Sequence, residues 1–296
     1  MGRMMAGPVL LIGHSGMLGS HFAGDINADQ VVILPREALD VTRPRHLIES
    51  VVGTSASVII NCAAHTNVEE AESDRAAAFS TNAILPGLLG QAARESNALL
   101  VHFSSTGCYG QNGADRLAPH SDFMSLNPTT VHHKSKAAGE VAVREAGCRH
   151  LILRLGWLYG GSAAHRKNFV WARITEARNK TEMASDPYQY GSPTNVDDVV
   201  KQAMALIEAG ITGTFNCVAS GAVSRFDYVH HILQSAQLSP RLLPQRFQRK
   251  APVSPNEAAT NEKLDLLGLN TMPSWDAALS AYVASLLAEE GRFDGR

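Results

Sequence analysis

Apolar residues in the first half of the chain gather in short unbroken runs, separated by stretches with helical spacing. Pro8-Val9-Leu10-Leu11-Ile12-Gly13 is the first run; Gln30 to Leu34, Ser57 to Ala63, Ala98 to Ser105 and His150 to Leu155 follow. Runs of this length without polar alternation predict strands covered on both faces. Helices are expected over Ser20 to Asp25 and from Thr42-Arg43-Pro44 to Val52, with Pro near the first turn. Two more are expected over Val68 to Asn97, interrupted or restarted near Pro86-Gly87, and over Thr129 to Ala146. Such alternation predicts an α/β protein built on a doubly wound parallel sheet of the Rossmann type.

Past Tyr159 the pattern loosens. Helices are expected over Asn168 to Arg178, Val196 to Ala209, Phe226 to Gln237 and Ser274 to Leu287. Gly213 to Val218 reads as one more strand, placed to rejoin the sheet edge. Thr181 to Ser192 is polar and turn-rich, and Leu243 to Thr260 is irregular. Thr194 or Asn195 is suited to cap the helix from Val196. The expected division is a dinucleotide-binding domain over residues 1–160, with 195–220 returning to it. A smaller C-terminal substrate lobe takes 161–194 and 221–296.

Composition narrows the function classes. The net charge is −2 and the basic residues are scattered, so neither nucleic acid nor an anionic membrane is an expected partner. No apolar run reaches the roughly 18 residues of a membrane span. Met1 to Gly7 shows no signal peptide, and Ala6 stands where a myristoylation signal after Gly2 needs Ser or Thr. Cys62, Cys108, Cys148 and Cys217 lie far apart, which fits free thiols in a reducing cytoplasm.

The first strand ends at Gly13-His14-Ser15-Gly16-Met17-Leu18-Gly19. Gly13 permits a sharp turn, and Gly16 lets backbone approach a pyrophosphate. Gly19 lets the following helix close on the strand, so that its N-terminus at Ser15, Met17 and Leu18 faces the anion. Twenty-four glycines make a lone triplet weak; its place between an apolar strand and a helix makes it informative. The second strand ends at Ile33-Leu34-Pro35-Arg36-Glu37. Arg36 suits a 2′-phosphate and favours NADP, with Glu37 on a ribose and NAD as the alternative.

The chain resembles the dTDP-4-dehydrorhamnose reductase family of the extended short-chain dehydrogenases/reductases, nearly end to end. The resemblance rests on Gly13 to Gly19, Leu39-Asp40-Val41, Asn61 to Val68, Thr81-Asn82 and Lys134-Ser135-Lys136-Ala137-Ala138-Gly139-Glu140. It continues through Leu153-Arg154, Trp157-Leu158-Tyr159-Gly160, Asn168-Phe169-Val170 and Tyr190-Gly191-Ser192-Pro193-Thr194. It implies an NADP-dependent reductase of a keto group on a nucleotide-linked deoxysugar, with homodimers frequent. It implies cofactor contacts at Asp40, Val41, Ala63, Ala64, Thr66, Asn82 and Lys136. It implies substrate contacts at Thr106, Trp157, Asn168 and Gln189. Ser105 takes the place of the family's Thr as holder of the keto oxygen, and Lys136 that of the Lys on the nicotinamide ribose.

The family's Tyr, four residues before that Lys, is replaced by His132. Positions i and i+4 share a helix face, so the geometry survives while the acid changes. His has a reference pKa of about 6.5 against about 10 for Tyr. A neutral imidazole giving its proton to an alkoxide would leave an imidazolate, whereas an imidazolium is a competent acid. Three readings stay open: His132 is a substitute acid, another acid or a water acts, or hydride chemistry is lost. The last would make the chain a cofactor-binding protein with a regulatory or assembly role. A second departure follows the fourth strand, where the family's Asp and Tyr are replaced by Thr106 and Gly107, a change expected to widen the pocket. Tyr109 is expected to pack and Arg154 to be structural. His65, His102, His132 and His133 lack companion ligands at metal spacing, and no metal is expected.

Overall fold

The computed structural model describes residues 5–111 and 118–293, so the reading of Gly2 lies outside it. The first half runs β1 (Val9–Ile12), α1 (Met17–Asp25), β2 (Val31–Val32), α2 (Pro44–Gly53), β3 (Val58–Asn61), α3 (Val68–Ala71), α4 (Arg75–Phe79), α5 (Leu85–Ser96), β4 (Leu99–Ser105), α6 (Val131–Glu145) and β5 (His150–Leu155). The second half runs β6 (Trp157–Tyr159), α7 (Phe169–Asn179), β7 (Glu182–Ser185), β8 (Tyr190–Gly191), β9 (Pro193–Asn195), α8 (Val196–Glu208), β10 (Gly213–Cys217), β11 (Val223–Ser224), α9 (Arg225–Ser235), β12 (Arg241–Pro244), α10 (Glu262–Leu266) and α11 (Trp275–Phe293).

The main sheet has the order β10-β5-β4-β3-β1-β2, and each pairing is parallel. Strand alternation sorts its side chains between two cores. Val9, Leu11, Val58, Ile60, Val101 and Leu153 meet Phe22 and Met204 on one face. Leu10, Ile12, Ile59, Leu100 and Ile152 meet Leu47, Leu89 and Val143 on the other. The chain leaves β1 for β2 on one side and returns to β3 on the other. That reversal opens a crevice at the carboxyl ends of β1 and β3, where such sheets bind ligands.

Three expectations are corrected. The strand expected over Gln30 to Leu34 shortens to Val31–Val32. It is an edge strand paired only with β1, Ile33 is half exposed, and Pro35 cannot donate to a ladder. The interruption of the long helix falls earlier, at a π-helical turn over Ser80–Ile84, while its restart as α5 at Leu85 lies beside Pro86-Gly87 as expected. Pro86 lies in the first turn of α5, where its missing N–H costs nothing. The turn-rich stretch from Thr181 to Ser192 contains β7 and β8, with β9 just after it, and these form two-stranded ladders with β12, β11 and β6. Asn195 is the cap of α8, accepting from Asp197 N at 2.8 Å.

Helix α6 is locked to the sheet by charge. Glu140, fully buried, takes Arg154 Nε at 2.9 Å and Nη2 at 2.7 Å, and Arg154 Nη1 donates to Tyr109 Oη at 2.8 Å. The guanidinium holds the Glu140 carboxyl below its ordinary range against the opposing effect of burial. Tyr109 donates onward to Asn216 Oδ1 at 2.8 Å, so it ties β4 to β10 as well as packing. At Gly139 a Cβ would lie 2.0 Å from Asn82 O, so α6 rests directly on the π turn.

Among the described residues no helix is long and apolar enough to cross a membrane. Glu140→Gln removes the charge from one side of a buried pair and strands the other, which costs about 3–5 kcal/mol in such settings. Urea unfolding is expected to show a loss of that order, with Arg144→Gln on the exposed side of the same carboxylate costing far less.

Candidate active site

The glycine turn separates into two roles. A Cβ on Gly13, at φ +75°, would lie 2.7 Å from Ala63 N; one on Gly19 would lie 2.1 Å from Gly13 O. These two glycines are required by the fold itself. Gly16 differs: a Cβ there would meet only Gly13 O, at 3.4 Å. Gly16 and Ser15 are exposed, and α1 starts at Met17 with no side-chain cap on its first N–H groups. Nothing inside the protein demands glycine at 16. An anion seated on the open helix end does. The residues present therefore fit a dinucleotide pyrophosphate.

Around this turn stand the other expected cofactor contacts. Ala63 and Ala64 are half-buried just past β3, and Thr66 is exposed, accepting from Lys167 Nζ at 2.9 Å. Asn82 is fully buried in the π turn. Its Oδ1 accepts from His65 N at 2.9 Å, and its Nδ2 donates to His65 O at 3.1 Å and Ser135 Oγ at 2.9 Å. It splints the loop after β3 to α6. Asp40 takes Thr42 Oγ1 at 2.7 Å and Arg43 Nε at 3.2 Å. This pins the turn holding Val41, and Arg36 is exposed one short helix earlier.

At the end of β4, Ser105 Oγ accepts from Gly107 N at 3.2 Å, which leaves its O–H to be offered elsewhere. Lys136, buried in α6, donates to Phe103 O at 2.9 Å. Burial brings its pKa down to about 8, against opposing pulls from Cys108, Cys62 and Glu140. His132 is buried on the same helix face. Burial first, then the charges of His133 and Lys136, push its pKa down to about 3, with only the His65 main chain opposing. Its Nδ1 is buried without a hydrogen-bond partner. His132 is therefore a neutral imidazole at ordinary pH.

The expected widening at Gly107 does not occur. A Cβ at 107 would fall 2.2 Å from His133 Nε2, so the His133 ring fills the space that glycine vacates. Thr106 is buried with its hydroxyl on Leu155 O at 3.3 Å, and Asn168 spends its amide on Trp171 N, Ser162 O and Tyr282 Oη. Both side chains, expected at the substrate, are engaged in holding the fold. The Trp157 indole packs on Gly191, carries the Arg225 guanidinium 3.7 Å from its ring centre, and donates to Glu257 Oε2 at 2.8 Å. Gln189, half-buried, receives Arg225 N on its carbonyl at 2.8 Å. Sequence reasoning missed Glu257, Arg225 and the role of His133. A His at i−3 from Lys136 was a usable signal; nothing local marks Glu257 in its irregular segment.

A model of the RmlD substrate binding domain matches residues 7–288. A dTDP-4-dehydrorhamnose reductase of Mycobacterium tuberculosis (strain CDC 1551 / Oshkosh) is 30% identical over 285 residues, covering 94% of this chain and 92% of its own. A probable dTDP-4,6-dihydroxy-2-methyloxan-3-one 4-ketoreductase of Streptomyces antibioticus is 29% identical over 291 residues, covering 95% and 96%. The crystal structure of a dTDP-4-dehydrorhamnose reductase from Bacillus anthracis str. Ames in complex with NADP superposes with a TM-score of 0.87. Its identity is 28%, over 96% of this chain and 100% of that one.

Gly16→Val is expected to leave thermal stability almost unchanged and to weaken NADPH binding roughly tenfold or more, about 1.4 kcal/mol, in a fluorescence titration. Gly19→Ala should lower the melting temperature instead. From the matched model and these relatives, the chain belongs to the RmlD substrate binding domain family, that of the dTDP-4-dehydrorhamnose reductases among the extended short-chain dehydrogenases/reductases.

Proposed function

We propose that this protein is an NADPH-dependent reductase of a keto group on a dTDP-linked deoxysugar. The observation that carries the reading is the open α1 end at Gly16 in a chain that keeps Lys136 buried on α6 and Ser105 at the end of β4. Both relatives named above are reductases of dTDP-linked sugars. NADPH, when bound, supplies the hydride.

The chain's own residues do the rest. The N–H groups of Ser15, Met17 and Leu18 receive the pyrophosphate, and Gly16, whose own N–H is bonded to Gly13 O, lets it approach. Arg36 pairs with the 2′-phosphate, and Asp40 and Val41 border the adenosine. Ala63, Ala64 and Thr66 line the passage toward the reactive end. Lys136 holds the nicotinamide ribose, and the Ser105 hydroxyl donates to the keto oxygen. His132, on the Lys136 face of α6, stays neutral through burial. Residues 1–160 with 195–220 carry the cofactor. The lobe of 161–194 and 221–296 carries the sugar nucleotide, with Trp157 and Gln189 at its border. Four free thiols suit a reducing compartment such as the cytoplasm.

The test is loss of NADPH absorbance with dTDP-4-keto-6-deoxysugars. Turnover is expected, and Arg36→Ala should raise the KM for NADPH roughly tenfold while leaving that for NADH nearly unchanged. NADPH binding without turnover on any dTDP-linked keto sugar would reject the reductase reading.

A further inference from the structure

The buried groups left over by this scheme converge on one place. Glu257 is buried in the segment before α10. Its Oε2 accepts from Trp157 Nε1, and its Oε1 has no hydrogen-bond partner. His133 Nε2 lies 3.8 Å from that Oε1, close enough to attract and too far for a hydrogen bond. The other side of the imidazole is fixed. Thr130 Oγ1 accepts from His133 N at 3.1 Å as the cap of α6, and lies 3.1 Å from His133 Nδ1. With a second lone pair, that oxygen can also accept from Nδ1–H, so the ring can carry a hydrogen on each nitrogen. Gly107 touches that same Nε2 edge, and Gly107 N–H is the group bonded to Ser105 Oγ. Gly107 thus links the two groups, with the His133 edge packed on it and its N–H bonded to the hydroxyl of Ser105.

We propose that His133 and Glu257 together replace the family's missing Tyr, with His133 Nε2–H as the proton donor and Glu257 as the carboxylate that positions and charges it. The inference rests on the reductase reading above. The balance is simple. The keto carbon accepts the hydride, its C=O π pair moves to oxygen, and that oxygen takes the proton of the His133 imidazolium. The neutral imidazole left behind is reprotonated from water, and Glu257 exchanges no proton in the step. His132 does not serve, because burial and the neighbouring charges of His133 and Lys136 keep it neutral.

The groups facing His133 are Glu257, which favours its charged form, and Lys136 and Arg249, which oppose it; burial opposes it most. The His132 ring meets it edge-on at 4.9 Å, and Cys108 Sγ donates to its carbonyl. The net direction is downward, so the imidazolium is a minority at neutral pH and kcat should fall as pH rises. Removing the Glu257 charge lowers the His133 pKa further and moves that fall to lower pH.

The experiment pairs turnover with a readout independent of it. His133→Asn is expected to lower kcat roughly hundredfold with NADPH affinity unchanged by fluorescence titration. Glu257→Gln, nearly isosteric, should shift the kcat–pH profile to lower pH. It should also lower the His133 titration midpoint followed by ¹⁵N imidazole NMR in the NADPH-free protein. Turnover that survives His133→Asn with an unshifted profile overturns the pair while leaving the reductase reading intact, as does a His133 midpoint indifferent to Glu257→Gln. A natural chain that binds NADPH and reduces no keto sugar overturns both.

Discussion

The ion pair between Glu140 and Arg154 sets where helix α6 lies, and Lys136, His132 and His133 on that helix inherit their places from it. Two buried charges repel the protein interior strongly, and their attraction offsets this only when the geometry is complete. Here it is: two short bonds join the pair, and a third runs on to Tyr109. Such a contact tolerates little rotation or sliding. Lys136 lies one turn before Glu140, and its ammonium reaches the β4 carbonyl of Phe103 from that fixed position. Asn82 and Gly139 close the third side. The helix is therefore held by the sheet behind it, the strand beside it and the π turn above it, before any ligand arrives.

The crevice owes its shape to backbone and its chemistry to burial. Gly13 and Gly19 bring strand, loop and helix within a side chain's width of one another. Around Lys136 and the two histidines, burial is the largest influence on each group and favours its neutral form. A site arranged this way has little charge of its own. A bound nucleotide brings most of the negative charge that the buried cations need.

Much of this was legible in the chain, and the limits are physical. The strands over Val58–Asn61, Leu99–Ser105 and His150–Leu155 stand out because both faces are buried, so their residues are apolar without interruption. The glycine turn is legible because three backbone demands fall at fixed spacing. The π turn at Ser80–Ile84 is not, since its cause is the reach of Asn82 to His65 and Ser135, partners 17 and 53 residues away. Thr106 and Asn168 are polar residues beside the expected pocket, and sequence cannot tell a hydroxyl spent on Leu155 O from one offered to a ligand. Glu257 lies in an irregular segment whose fold depends on distant contacts, so its arrival at Trp157 has no local sign.

The meeting of Gly107 with His133 has an evolutionary consequence. The two positions share one volume, which either can occupy but not both. With the imidazole in place, even a methyl group on residue 107 would overlap it, so no side chain can enter there by a single substitution unless the ring moves. The ring must shrink first, and that intermediate would have an unfilled hole at the centre of the site. Residues 107 and 133 are thus free to change only together.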